Sequence, residues 1–143
     1  MQQTEDAVTR DTLPLLQEVT GIEVLSLSST AVVTTSTFFQ TGKAWRFAVL
    51  YRSKVTALQC QMILQVWSRL PPGEEARCHT PEIGLRFLKG EEEVMRAALC
   101  FTCNNISIRT AAGDEWLAFD AEAGSSRSLL RQLHSHLQAG QRV

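Results

Sequence analysis

Cys60, Cys78, Cys100 and Cys103, with His79 beside the second of them, are the residues best suited to metal or redox chemistry. Cys100 and Cys103 form a C-x-x-C inside the run VMRAALCFTCNNISIRT, Val94–Thr110, where an apolar β pattern and a chemical motif coincide. Such a pair can chelate zinc, exchange disulfides or simply pack. In an unbroken strand an odd separation sends the two side chains to opposite faces, so they could not share one ion. A zinc knuckle needs a tight turn, usually built with Gly or Pro, and Phe101-Thr102 supplies neither. Zinc also takes four ligands, which Cys78, His79, Cys100 and Cys103 provide only if the loop before Pro81 folds back on the strand. A thioredoxin-like pair wants its C-x-x-C at a helix start after a strand. The residues therefore read as four reduced, metal-free cysteines acting as small apolar side chains, with no cofactor. The alternative is a zinc-stabilised domain on Cys78, His79, Cys100 and Cys103.

Other candidates are weaker. His134 and His136 are two apart on a helical stretch, whereas metal-binding pairs on helices prefer four. Arg127, Arg131 and His134 form a stripe that reads as a solvated helix face near its C-terminus. Glu91, Glu92 and Glu93 concentrate charge on a short turn, and this tip is the expected partner-binding surface, met by a basic partner. No G-x-G-x-x-G, P-loop, H-E-x-x-H or G-x-S-x-G occurs, and the hydroxyl-rich stretch Ser26–Thr37 has no histidine near it to act as a base. The reading is thus not an enzyme, with no catalytic residues; an enzyme whose site is assembled across a sheet ranks below the zinc domain.

The elements that must position these residues follow from pattern. The 143 residues, 44% hydrophobic and 20% charged, describe one globular domain, residues 1–143. A net charge of −1 with scattered basic residues argues against nucleic acid. No run approaches the ~20 apolar residues of a membrane span. The start MQQTEDAVTRD is polar and acidic, unlike a signal peptide, so a cytoplasmic location is expected. Such a well-cored domain does not need disulfides.

Asp11–Val19 reads as a short helix with Pro14 in its first turn. Strands are expected at Ile22–Leu27, Ala31–Phe39 and Ala44–Arg52, the last two joined by the turn Gln40–Lys43. Thr56-x-x-Gln59 has capping-box form and opens a helix to about Leu70, stopped by Pro71-Pro72-Gly73. Its stripe Leu58, Met62, Val66 and Leu70, flanked by Val55, Ile63 and Trp67, is expected to face the core. Strands follow at Ile83–Leu88, Val94–Cys103 and Glu115–Phe119. After Asn104-Asn105 the apolar parity changes to Ile106 and Ile108, which implies a bulge or turn at the asparagines. Ser125 or Ser126 caps a last helix to about Gln138, with Leu129, Leu130, Leu133 and Leu137 inward. The fold class is α+β: an antiparallel sheet of six or seven strands, with a mid-chain and a C-terminal helix packed on it.

CHTPEIGLRF, ALCFTCNNISI and the Leu-rich last helix together resemble small uncharacterised bacterial proteins. Those share C-x-x-P, an Ile/Leu-x-Phe strand, C-F-x-C with a following Asn-Ile, and a terminal helix. The resemblance covers a little under half of the chain. It implies the hairpin–helix arrangement, no catalytic residues, and an approach of Cys78, Cys100 and Cys103 in space. The small size, near-neutral charge and lack of catalytic motifs give the expectation of a non-catalytic protein-binding module, an immunity or inhibitor protein that neutralises a cognate bacterial toxin being its concrete form. Its partner is a protein, with no nucleic acid and no membrane.

Overall fold

The computed structural model describes residues 16–28, 37–39, 46–74 and 78–142. Their elements run β1 (Gly21–Ser28), β2 (Thr37–Phe39), β3 (Arg46–Lys54), α1 (Ala57–Trp67), β4 (Ile83–Lys89), β5 (Glu92–Cys100), β6 (Asn105–Thr110), β7 (Gly113–Ala118), α2 (Gly124–Gln138) and β8 (Gln141–Arg142). Every pairing is antiparallel, in the order β2-β3-β1-β4-β5-β6-β7, with β8 added to β3. The α+β architecture with two helices is therefore the one expected. Most of the Asp11–Val19 segment, the start of Ala31–Phe39 and the Gln40–Lys43 turn lie outside the described residues.

Period-two alternation assigns the faces. Ile22, Val24, Ile83, Leu85, Phe87, Met95, Ala97, Leu99, Ile106 and Ile108 point toward the helices and are all buried. Cys60, Ile63, Leu64 and Trp67 of α1, and Leu129 and Leu133 of α2, meet them. The part of the stripe within α1 was therefore expected on the wrong side: Leu58 is 72% and Met62 47% exposed, and only Leu70, past the helix end, is buried as expected. A helix turns about 100° per residue, and α1 is apolar over two adjoining stripes. The sheet takes the one containing the bulky Trp67, which packs 5.2 Å from Phe87.

The opposite face is hollow and curled. It carries a second apolar cluster of Leu25, Leu27, Phe38, Phe47, Val49 and Ala98. Gly84 leaves room for it, because a Cβ there would lie 3.2 Å from Leu27 Cδ1 and 3.3 Å from Phe38 Cζ. In a flat sheet β3 and β7 would stand about 24 Å apart, five steps of about 4.8 Å. Yet the His79 ring touches Phe47 of β3 at 6.2 Å and Trp116 of β7 at 4.6 Å. The sheet bends around this ring.

The capping box is present as read: Thr56 Oγ1 accepts from Gln59 N, and Gln59 Oε1 accepts from Thr56 N. The last helix starts differently. Its N-cap is Ala123 without a side-chain bond. Ser126 Oγ donates instead to Asp120 O and Ser125 Oγ to Arg69 O, so both hydroxyls tie α2 to neighbouring segments. Glycine at 73 permits a close approach, since a Cβ would collide with the Phe119 backbone. There Asp120 N donates to Pro71 O and fixes the post-helix loop on the β7–α2 connection.

Candidate functional site

The strand carrying Cys100 does not run on to Cys103. It ends at Cys100, and Phe101–Asn104 form a four-residue loop, closed by the pairing Cys100↔Asn105. Asn104 takes φ 55°, the left-handed conformation that asparagine tolerates better than most residues. The tight turn that Phe101-Thr102 does not signal is thus supplied two positions further on, at Asn104. It carries Cys103 toward the segment before β4, where Cys103 is joined to Cys78 in a disulfide with Cα atoms 5.7 Å apart. The expectation of four reduced cysteines is corrected: two are bridged, and Cys60 and Cys100 are free and buried.

Cys100 shares two hydroxyl neighbours with the bridge. Thr80 Oγ1 lies 3.8 Å from Cys100 Sγ and 3.9 Å from Cys103 Sγ. Thr102 Oγ1 lies 3.3 Å from Cys100 Sγ and 3.9 Å from Cys103 Sγ. Two exposed hydroxyls thereby span both sulfurs, at a place where Cys78 is exposed and Cys103 buried. Cys78 and Cys103 are bonded, and Cys100 is connected to the bridge through these two hydroxyls. Cys60 lies apart on α1, where burial pushes its thiol up and leaves it inert.

His79 has a different set of partners. Its Nδ1 lies 2.6 Å from Asn105 Oδ1, and Ser107 Oγ is 3.4 Å from Nε2. Asn105 Nδ2 donates to Cys78 O at 2.6 Å, which leaves its Oδ1 to accept. The ring therefore carries its proton on Nδ1 and accepts on Nε2. Burial lowers its pKa, partly offset by the Asn105 bond, which favours the charged form. Serine, histidine and amide are connected like a nucleophile, a base and an orienting group. Ser107, however, is 1% exposed, so the hydroxyl is closed to substrate. The cluster works as a clasp that holds the Cys78–Thr80 segment against β6. No protein-family model matches this chain. Comparisons with curated proteins and with solved structures also return no match.

The proposed zinc set is taken apart by these contacts. Cys78 and Cys103 are spent on each other, and His79 is committed to Asn105 and Ser107. Among the described residues, no group of three or more His, Cys, Asp or Glu is arranged to hold a metal ion.

The acidic tip divides. Glu91 and Glu92 are exposed at the β4–β5 turn. Glu93 folds back: its Oε1 accepts from Arg86 Nε at 2.7 Å and Arg96 Nη2 at 2.8 Å. Burial pushes this carboxyl up, but the bonds and charges of Arg96 and Arg86 outweigh it and hold it below its usual range. Arg86 Nη1 also reaches the buried Glu23 at 2.8 Å, and the Arg96 guanidinium lies 4.5 Å above the Phe38 ring. Two free carboxylates, not three, face solvent at the tip. Among the remaining candidates, Arg127 pairs with Glu122. His134 and Glu82 line an open groove beside α2, and burial raises the Glu82 carboxyl despite the bond from Phe101 N and the His134 charge.

Proposed function

We propose that this chain is a non-catalytic protein-binding module whose docking surface is the outer face of α1. The observation that carries the reading is the exposure of Leu58 and Met62, one turn apart on a helix whose other side is fully buried. Large apolar side chains at such spacing are typical anchors for a partner's pocket. Val66 extends the stripe and is half-buried. Val55 N bonds to Ile22 O, and Gly21 of β1 pairs with Leu88 of β4. The start of α1 and the β4–β5 turn thus belong to the same end of the sheet. This end combines apolar anchors with the carboxylates of Glu91 and Glu92, the composition of an interface core and its charged rim. The partner's chemistry follows: a protein with an apolar pocket bordered by Lys or Arg.

An inhibitor of a cognate toxin, as an immunity protein is, meets that description, acting in the cytoplasm. No helix among the described residues is long and apolar enough to cross a membrane. The test is affinity capture from the native host with wild type and with the double variant Leu58→Glu/Met62→Glu. A stoichiometric protein that is retained by wild type and lost by an equally stable variant supports the proposal. The same capture by both proteins would move the surface elsewhere.

A further inference from the structure

We propose that Cys78, Cys100 and Cys103 form a thiol–disulfide exchange site whose substrates are low-molecular-weight disulfides of the glutathione type. Three observations converge. The bridge joins an exposed residue, Cys78, to a buried one, Cys103. A free thiol, Cys100, shares two neighbours with the buried one, the Thr80 and Thr102 hydroxyls lying within 3.9 Å of both sulfurs. Cys100 and Cys103 are three apart in sequence across a tight turn, the spacing at which a C-x-x-C disulfide closes.

The step balances without an outside oxidant. Cys100 is buried, so its proton leaves through the hydroxyl of exposed Thr102, 3.3 Å from its Sγ, and its thiolate attacks Cys103 Sγ. The Cys100–Cys103 bond forms as the Cys78–Cys103 bond breaks. Cys78 leaves as a thiolate at the surface. One thiol and one disulfide are present before and after. Exposed Cys78 then attacks a glutathione disulfide, forms a mixed disulfide on its own sulfur, and releases one glutathione as thiol. The threonine hydroxyls fit this role, because each can donate to the Cys100 thiolate as it forms. Cys60 takes no part, being buried on α1 away from the three.

The experiment uses the full chain, purified without reductant. It is treated at mildly alkaline pH with oxidised glutathione, quenched with a maleimide and mapped by non-reducing peptide mass spectrometry. Wild type is expected to carry a glutathionyl group on Cys78, together with a Cys100–Cys103 bridge. Cys100→Ser, which keeps the Cys78–Cys103 bond and is checked for an unchanged thermal midpoint, is expected to lose the adduct. Cys100→Ala serves as a second variant if serine disturbs the buried site. An adduct on Cys78 that persists at the wild-type rate in either folded variant would overturn the relay. So would a wild-type protein that shows no adduct, or one on Cys100 alone.

Discussion

Replacing Cys78 by serine removes the bridge while adding no buried polar group, since position 78 is exposed. The bond links residues 25 apart. In the chain-entropy description, closing a loop of that length in the unfolded chain contributes about 3.5 kcal/mol to stability. The isomeric bridge Cys100–Cys103, which remains possible in Cys78→Ser, closes a loop with only Phe101 and Thr102 inside it. That constrains little of the unfolded chain and returns little of the loss. With a urea slope of about 1.5–2 kcal/mol per molar, the unfolding midpoint should fall by about 2 M. Wild type in reductant should move to nearly the same midpoint, and adding reductant to Cys78→Ser should change almost nothing. Unfolding followed by tryptophan fluorescence reads this directly, since Trp67 is fully buried. Coincident wild-type curves with and without reductant, matching that of Cys78→Ser, would show that the 78–103 loop is not closed in solution and would sink the argument.

Wild type unfolded without reductant should expose two titratable thiols, Cys60 and Cys100, rather than four. In α1, Ile63→Ala should cost about 2–5 kcal/mol, whereas Met62→Ala should stay within about 0.5 kcal/mol; comparable losses at both positions would mean that the helix is rotated. The folded-state pKa of His79 is lowered, so its stabilising effect is complete above its unfolded value near 6.5 and is lost as pH falls from there toward the folded value. A His79→Gln variant should flatten that part of the stability–pH curve. Glu93, also depressed, contributes above an unfolded pKa of about 4.3 and loses its effect below it, so Glu93→Gln should remove part of the acid limb.

Most of the sheet was legible because its strands alternate cleanly. The parity change at Asn104-Asn105 marked a turn, and the helix start at Thr56 was written in its capping box. The rotation of α1 was not legible. Leu58, Met62 and Val66 form as good a stripe as Cys60, Ile63, Leu64 and Trp67, and only the position of Phe87 and its neighbours decides between them. The disulfide was missed because the tight turn was sought at Phe101-Thr102, while the left-handed residue is Asn104. The His79 clasp left a faint trace. Asn105 and Ser107 alternate with Ile106 and Ile108 in a strand buried on both faces, and polar residues there must find polar partners. Nothing in sequence said that the partner would be His79. The split of the acidic tip depends on Arg86 and Arg96 lying across from Glu93, which only the register of β4 and β5 reveals.

The strand order bears on how the chain assembles during synthesis. The strands from β4 to β7 follow one another as neighbours through short turns, so their contacts are local and can form quickly. β1 sits between β3 and β4, and its link to the second half joins residues as far apart as Thr20 and Leu88, a separation of 68. Until β4 leaves the ribosome, one long side of β1 has no hydrogen-bonding partner. Its apolar residues Val24, Leu25 and Leu27 are then open to other nascent chains. Misfolding in this protein should therefore begin with the first strand waiting for the fourth. Slowing translation between α1 and β4 should increase aggregation more than slowing it after β5.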